Sequence, residues 1–206
     1  VMKEVVKLMD YRPDIKIVDA TLRDGGLVNN FRFTDEFVKD LYQTNIKAGV
    51  DVMEFGYKAD KEMFDVKDFG KWKFCDDEDI RAVVGDNNTD LKIAVMADVG
   101  RCNYKQDIKP RAESPVDVIR VATYINQIPA AVDVIEDAVA KGYEVTCNIM
   151  AISNAQEADI RVALDLLGKS PVNVIYIVDS FGALFPEQIA RIAALYGEYA
   201  AKYLSL

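Results

Sequence analysis

The most informative absence in this sequence is histidine. None of the 206 residues is a histidine, although histidine is the usual catalytic base near neutral pH and the commonest metal ligand. Any base or metal ligand must therefore come from another residue type. Cysteine is scarce too: Cys75, Cys102 and Cys147 form no CxxC pair, which indicates reduced thiols in a cytoplasmic protein.

Positive charge and long apolar runs are also in short supply. The chain has 25 basic and 34 acidic residues, a formal net charge of −9 and no basic block. Nucleic acid and anionic membranes are poor partners for such a chain. It has no run of about 18 apolar residues that would span a bilayer, and the first residues, VMKEVVKLMD, do not resemble a signal peptide. We therefore expect neither kind of partner.

Hydrophobic residues make up half of the chain, enough for one sizeable core, and we expect a single domain over residues 1–206. Six short runs rich in valine and isoleucine alternate with amphipathic segments. The predicted strands are 16–20, 50–55, 92–97, 117–122, 143–150 and 173–178. Strands that alternate with helices predict a parallel α/β sheet.

The helices between these strands have readable end signals, such as an N-cap residue, a proline in the first turn or a closing glycine. The predicted limits are Thr34 to Gly49; Pro129 to Gly142; a capping box of Ser153 and Gln156, ending at Gly168; and Pro186 to about Tyr203, with a short acidic-headed helix over 76–86.

The strands begin roughly 31 residues apart, which is the step of a (β/α)8 TIM barrel of roughly 250 residues. Only six units are visible, so the chain is either a doubly wound open sheet or about the first six units of a barrel, without units seven and eight. Polar residues lie near the end of every strand: Asp24, Glu54, Asp98, Arg120, Asn148 and Asp179. An open sheet would spread them over roughly 24 Å. A barrel brings them to one mouth, and we favour the barrel.

The stretch VDATLRDGGLVNNF, residues 18 to 31, places Arg23 and Asp24 after the first strand. Arginine offers a planar fork of donors that suits an oxyanion, and aspartate is a hard oxygen ligand for Mg²⁺ or Mn²⁺. The pair could clamp a negatively charged, metal-bound intermediate, or it could be a salt bridge that closes the barrel mouth. Gly25 and Gly26 favour the clamp, because glycine lets the backbone approach a ligand closely.

Each of the other strand-end residues admits two interpretations. Glu54 interrupts an apolar strand, so its carboxylate needs a partner, and the arginine of the first motif is the obvious one; the pair could be catalytic or structural. Arg120 could bind a substrate carboxylate or pair with an acid. Asn148 could bind a ligand or satisfy a backbone group. Asp179 and Ser180 could belong to a site or to an ordinary turn.

Three segments together resemble the DRE-type TIM-barrel metallolyases. DATLRDGG ends the first strand, GVDVMEFGY forms the second, and VIYIVDSFGALFPEQI contains the sixth. This superfamily includes 4-hydroxy-2-oxovalerate aldolase, hydroxymethylglutaryl-CoA lyase and the isopropylmalate and homocitrate synthases. The likeness runs from about residue 16 to the end. It is closest to the aldolase branch, in which TLRDGG is followed by an NN segment.

The resemblance implies a role for each matching residue. Arg23 is similar to the arginine that stabilises an enolate oxygen, Asp24 to the ligand of Mg²⁺ or Mn²⁺, and Glu54 to the glutamate that orients the arginine and the metal-bound water. Gly25 and Gly26 would let the chain turn away beneath the substrate. The residues expected to bind substrate are Thr21, Gly25, Arg120, Asn148, Asp179 and Ser180.

Two departures from the family pattern stand out. The family's other metal ligands are two histidines of an HxH motif on strand seven, and this chain has neither the strand nor the histidines. The aldolases also place a histidine base three residues after the metal-binding aspartate, where this sequence has Leu27.

The predicted function is a divalent-metal-dependent lyase that cleaves or forms a C–C bond next to a pyruvate-type 2-oxo acid. One alternative is a Claisen-type acyltransferase that uses an acyl-CoA, although such synthases usually read TLRDGEQ, with glutamate in place of Gly26. Another is a non-catalytic barrel remnant that acts as a binding module. Homo-oligomerisation is possible.

Overall fold

Six parallel strands form one sheet in this computed structural model, which describes residues 14–203. The strands are β1 Val18–Asp19, β2 Val52–Tyr57, β3 Lys92–Asp98, β4 Val118–Thr123, β5 Glu144–Ile149 and β6 Val174–Ile177. Each strand pairs with the next in the chain, in the order β1-β2-β3-β4-β5-β6. A doubly wound sheet reverses its strand order, so the structure confirms a partial TIM barrel made of six β/α units.

Helices separate the strands and cover the sheet. They are α1 Thr21–Asn29, α2 Asp35–Ala48, α3 Asp77–Val84, α4 Tyr104–Asp107, α5 Ile128–Ala140, α6 Glu157–Lys169 and α7 Pro186–Tyr203. Short 3-10 helices lie at Lys71–Lys73, Arg111–Glu113, Ile125–Gln127 and Ile152–Asn154. Among residues 14–203, no helix has both the length and the apolar character to cross a bilayer.

The caps of α2 confirm the signals that predicted this helix. The Thr34 hydroxyl accepts a hydrogen bond from the Phe37 N–H at 3.2 Å, and Gly49 ends the helix at a φ of +72°. Glycine reaches this left-handed conformation without the steric cost that a side chain brings.

The predicted capping box of α6 is wrong. Ser153 lies in the preceding 3-10 helix, and the N-cap residue Gln156 makes no side-chain cap hydrogen bond. The chain turns once more before the helix begins, so the S-x-x-Q spacing falls on two different elements.

The predicted turn at Gly25 and Gly26 is also wrong, because both glycines lie inside α1. Their roles differ. A Cβ atom on Gly26 would lie 2.1 Å from the buried Phe31 ring, whereas one on Gly25 would find its nearest neighbour, Phe33, at 3.6 Å. Gly26 therefore serves the packing of α1 against Phe31. Nothing in the contacts of Gly25 requires a glycine.

The core is continuous on both faces of β2 to β5, whereas the outer strands are partly open. Interior strand residues such as Met53, Ile119 and Cys147 are completely buried. On β6, Val174 and Ile177 are 43% and 38% exposed, and Ile17 just before β1 is 57% exposed. The apolar edges of the half-barrel thus lie at its first and last strands.

A buried arginine–glutamate–arginine cluster at the barrel mouth

Glu54 is the centre of a charged cluster inside the half-barrel. Its side chain on β2 is completely buried. The Arg23 Nε donates a hydrogen bond to Glu54 Oε2 at 2.9 Å, and the Arg120 Nη1 donates to the same oxygen. One carboxylate oxygen therefore receives two guanidinium groups, which confirms that the buried Glu54 has Arg23 as a partner and adds Arg120 as a second.

Three different elements bring these side chains together. Arg23 lies in the first turn of α1, directly after β1, and Arg120 lies in β4. Register places Met96 of β3 next to Arg120, and Ala94 of β3 next to Glu54. The Arg120 side chain thus reaches past β3 to β2. The curvature of a barrel brings side chains on the inner face of non-adjacent strands closer together and so favours this contact.

Several buried polar atoms of this cluster have no hydrogen-bond partner within residues 14–203. They are Glu54 Oε1, Arg120 Nε and Asn148 Nδ2. The Asn148 Oδ1 accepts a 3.4 Å hydrogen bond from Arg120, and the Arg120 guanidinium lies 4.8 Å from the centre of the Tyr176 ring. An unsatisfied buried polar group costs roughly 1–3 kcal/mol. A polar ligand that satisfied such atoms would therefore gain affinity.

The Arg23 guanidinium connects the buried part of the cluster to its exposed side. Burial alone would lower the pKa of Arg23, but Glu54 outweighs it, and the pKa is raised. Arg23 Nη1 also donates to Asp24 Oδ1 at 2.6 Å, and the Asp24 side chain is 65% exposed. Arg23 therefore links a buried carboxylate to one that faces solvent.

Tyr57, at the end of β2, is a neighbour that the sequence analysis did not assign to the site. Burial raises the pKa of its hydroxyl, although the adjacent Arg23 opposes that shift. The only available signal was its position directly after Glu54, Phe55 and Gly56 in the second motif. Exposed loop tyrosines are common, and the sequence pattern did not distinguish Tyr57 from them.

Thr21 anchors the end of β1. Its hydroxyl donates to Asp19 Oδ1 at 2.5 Å, and the other Asp19 oxygen accepts from Asn45 at 2.8 Å. These bonds tie the start of α1 to α2. They fix the position from which Arg23 projects two residues later.

Asp179 makes a local contact after β6, and Ser180 contacts the segment that follows β5. Asp179 Oδ2 accepts from the Leu184 N–H at 2.9 Å, and the Ser180 hydroxyl accepts from the Ala151 N–H at 2.8 Å. The hydrogen bonds recorded for residues 14–203 do not connect the pair to the Arg23–Glu54–Arg120 cluster. Of the six strand-end residues, Arg120 contacts both Glu54 and Asn148, and Asp24 joins them through Arg23.

A divalent metal ion does not fit the described residues on their own. Among residues 14–203, no three His, Cys, Asp or Glu side chains come close enough to hold one. Asp24, the ligand that the resemblance implies, supplies a single carboxylate that is already bound to Arg23.

Comparison with known proteins shows what the chain is similar to. No family model matches the chain. It is 27% identical to 4-hydroxy-2-oxovalerate aldolase from Pelotomaculum thermopropionicum over 180 residues, which are 87% of this chain and 52% of that protein. It is 28% identical to the Bacillus cereus aldolase of the same name, covering 88% of this chain and 52% of that protein. The chain thus spans about half the length of these curated relatives.

Solved structures show the same fold. The N-terminal domain of a putative aldolase from Bacteroides vulgatus superposes with a TM-score of 0.70 at 24% identity, over 90% of this chain and 61% of that one. The HMG-CoA lyase from Brucella melitensis gives 0.62 at 15% identity, over 90% and 68%. The protein is a partial TIM barrel whose resemblance to the DRE-type metallolyases is confirmed. Within that superfamily, the relatives place the likeness in the 4-hydroxy-2-oxovalerate aldolase branch.

Proposed function

We propose that this protein is a carbon–carbon lyase that cleaves a 4-hydroxy-2-oxo acid to pyruvate and an aldehyde, or runs the reverse reaction. The observation that carries the proposal is the buried Glu54 carboxylate with Arg23 and Arg120 on one oxygen. Names of relatives that are 27–28% identical support the same chemistry. A cytoplasmic location is proposed with it, supported by three free cysteines.

Arg23 is proposed to stabilise the oxygen on which negative charge develops as the C–C bond breaks. Its guanidinium is fixed by Glu54, so its donors are oriented before the substrate arrives. Preorganised donors of this kind stabilise a transition state without the cost of reorganising solvent. Glu54 acts as a positioning residue, because its Oε2 bonds the guanidinium.

Arg120 and Asn148 are proposed to bind the substrate carboxylate. Arg120 Nε and Asn148 Nδ2 are buried donors that lack acceptors in the part of the chain that the structure describes, and a carboxylate has two acceptor oxygens. Thr21 and Gly25 are proposed to line the same mouth beside Arg23, and Asp179 with Ser180 to line it from the end of β6.

Mg²⁺ or Mn²⁺ is the cofactor that the resemblance implies, and Asp24 is the ligand that this chain would offer. The described residues lack the remaining ligands, so the roles above are assigned to side chains alone.

The Claisen-type acyltransferase is less well supported by the packing of α1. Such synthases carry glutamate at the position of Gly26, but any side chain there would overlap Phe31, because its Cβ would lie 2.1 Å from the ring. A non-catalytic binding module remains a distinct alternative.

The test is release of pyruvate from 4-hydroxy-2-oxovalerate by the protein at its natural length, coupled to a pyruvate-consuming reporter. The assay is run with Mn²⁺, with Mg²⁺ and after chelation. We expect turnover that chelation abolishes and that Arg23→Ala lowers. No turnover with any metal would favour the binding module, and acetyl-CoA-dependent loss of a 2-oxo acid would favour the acyltransferase.

A further inference from the structure

The proposed lyase needs a general base, and the residues at the obvious positions are unsuitable. The substrate hydroxyl must lose a proton as the C–C bond breaks. Leu27 stands where the resemblance expects a histidine and is 59% exposed. Glu54 and Asp24 already accept hydrogen bonds from Arg23, and burial raises the pKa of the Cys147 thiol to about 12. The base must be sought elsewhere at the mouth.

Lys73 is a buried amine with an unusual environment. Its side chain, in the 3-10 helix that follows β2, is 9% exposed. Its Nζ lies near four aromatic rings; the distances to the ring centres are 4.3 Å for Phe64, 4.6 Å for Tyr57, 5.1 Å for Phe31 and 5.5 Å for Phe69. No hydrogen bond or ion pair of its Nζ is found among residues 14–203.

Other lysines nearby are neutralised by carboxylates. Lys58 donates to Asp77 at 2.8 Å, and Lys71 pairs with Asp35 at 2.7 Å and with Asp79 at 3.3 Å. Lys71 lies in the same 3-10 helix as Lys73. The contrast between the two therefore comes from their surroundings, not from the element that carries them.

The position of Lys73 is fixed by close backbone contacts. The Lys73 carbonyl accepts from the Ala59 N–H at 3.2 Å, and the Gly70 N–H donates to the Asn30 carbonyl at 2.7 Å. A Cβ on Gly56 would lie 1.9 Å from the Trp72 carbonyl oxygen, so the 3-10 helix packs directly on β2. Tyr57 joins the amine to the proposed site, since its ring contacts Lys73 and its hydroxyl lies beside Arg23.

We propose that the Lys73 amine is the general base of the lyase reaction and takes the proton of the substrate's C4 hydroxyl. This proposal rests on the function proposed above. The electron pair of the O–H bond forms the aldehyde carbonyl, and that of the C3–C4 bond passes to the enolate beside Arg23. The Lys73 ammonium then returns its proton to C3, which gives pyruvate. Lys73 is again a neutral amine at the end of the cycle, and the atoms of the substrate equal those of pyruvate and the aldehyde.

Burial favours a neutral amine, because a charged group is costly to desolvate, whereas the four ring faces around Nζ attract the ammonium form. Burial lowers the pKa of Lys73 from its ordinary 10.5, with Asp98 opposing the shift and Arg101 adding to it. Tyr57, Lys58, Asp98 and Arg101 line the small space around it. Burial also raises the pKa of the Asp98 carboxyl, and Arg101 and Lys73 oppose that shift.

Phe64 is the closest cover of the amine and belongs to the loop between β2 and the 3-10 helix. Its ring must shift for a substrate to reach Nζ, because the space beside the amine is too small for a ligand. Phe64→Ala should therefore raise the reactivity of Lys73 toward a small acylating reagent.

Kinetics on the protein at its natural length test the role of Lys73. Lys73→Met and Lys73→Arg should each lower kcat by roughly 10²- to 10⁴-fold, the range of lost general base catalysis, with KM little changed. Added methylamine should restore part of the activity of Lys73→Ala. Lys71→Met, the matched control, should keep normal turnover. If Lys73→Arg retains kcat, or if Lys73→Met changes only KM, Lys73 supplies charge and is not the base.

Competitive acylation of all lysines, followed across pH by mass spectrometry, needs no turnover. Lys73 should become reactive at a pH below the ordinary lysine pKa of 10.5. It should also become reactive at a lower pH than Lys71, whose pKa is raised because Asp35 and Asp79 outweigh burial. A Lys73 that titrates with or above Lys71 would overturn the proposal even if the variants fold poorly. A wild-type protein that releases no pyruvate would instead overturn the lyase assignment.

Discussion

At the scale of single residues, the site depends on one carboxylate oxygen that two arginines share. The positions of the two guanidinium groups depend on each other, because both donate to Glu54 Oε2. Removing one partner of a buried ion pair typically costs 3–5 kcal/mol, since the remaining charge stays buried without compensation. Substitutions in this cluster should therefore affect stability and activity together, and the two must be measured separately.

Arg23→Ala should lower kcat by about 10²- to 10³-fold, as the loss of one oxyanion-stabilising donor does. Arg23→Lys should remain seriously impaired, because lysine keeps the charge but lacks the planar fork. Steady-state kinetics for pyruvate release, with urea unfolding as the control for stability, provide the measurement. Wild-type turnover in Arg23→Ala would leave Arg23 as a structural salt bridge.

Glu54→Gln should reduce kcat less than Arg23→Ala, because Glu54 acts through the arginine. The two losses should not add in the double variant, since both changes act on the same oxygen of the reacting substrate. The readout is the double-mutant cycle in kcat/KM. Fully additive losses would show that Glu54 has a role independent of Arg23.

At the scale of elements, much of the fold could be predicted from the sequence because buried parallel strands are short, apolar and evenly spaced. Both ends of α2 and the start of α7 followed from Thr34, Gly49 and Pro186, whose conformational preferences are strong. The helix α1 was missed because two adjacent glycines usually break a helix. In the structure, Gly26 is needed for the contact with Phe31, and that tertiary contact outweighs the low helix propensity.

The two glycines of α1 offer a matched pair of substitutions. Gly26→Ala should destabilise the protein, by roughly the 1–3 kcal/mol of an overpacked core, because its Cβ would lie 2.1 Å from the Phe31 ring. Gly25→Ala should be neutral or stabilising by up to about 1 kcal/mol, since alanine favours the helix. Urea unfolding of both variants measures the difference. Equal effects would mean that Phe31 does not restrict Gly26.

The candidate site could be predicted only in part from the sequence, because tertiary contacts decide the rest, as they do for α1. Arg23 and Asp24 lie in the first motif and Glu54 in the second, so the residue types and their order indicated them. Lys73 lies in a loop segment, KWKF, that has no periodicity. Its enclosure by aromatic rings arises only when Phe31, Phe64 and Phe69 fold around it, and no local pattern encodes that arrangement.

At the scale of the whole molecule, the open edges of the half-barrel should govern its behaviour in solution. The strands β1 and β6 each pair on one side within residues 14–203, and an unpaired edge with apolar side chains is a template for pairing with another chain. Exposed apolar side chains lie at both edges. Ile15 and Ile17 are 57% exposed beside β1, and Phe181 and Phe185 are 63% and 70% exposed after β6.

The 206-residue chain should therefore self-associate, with a mass that rises with concentration in light scattering and sedimentation. Val174→Lys and Ile177→Lys place charges on β6 at positions that are 43% and 38% exposed, and charged edge strands resist pairing. We expect these variants to shift the population toward monomer without a loss of circular dichroism signal. A matched change on an exposed helix face, Val162→Lys at 61% exposure, should leave association unchanged. A wild-type monomer that persists at high concentration would show that the edges of the half-barrel are closed by contacts within the chain itself.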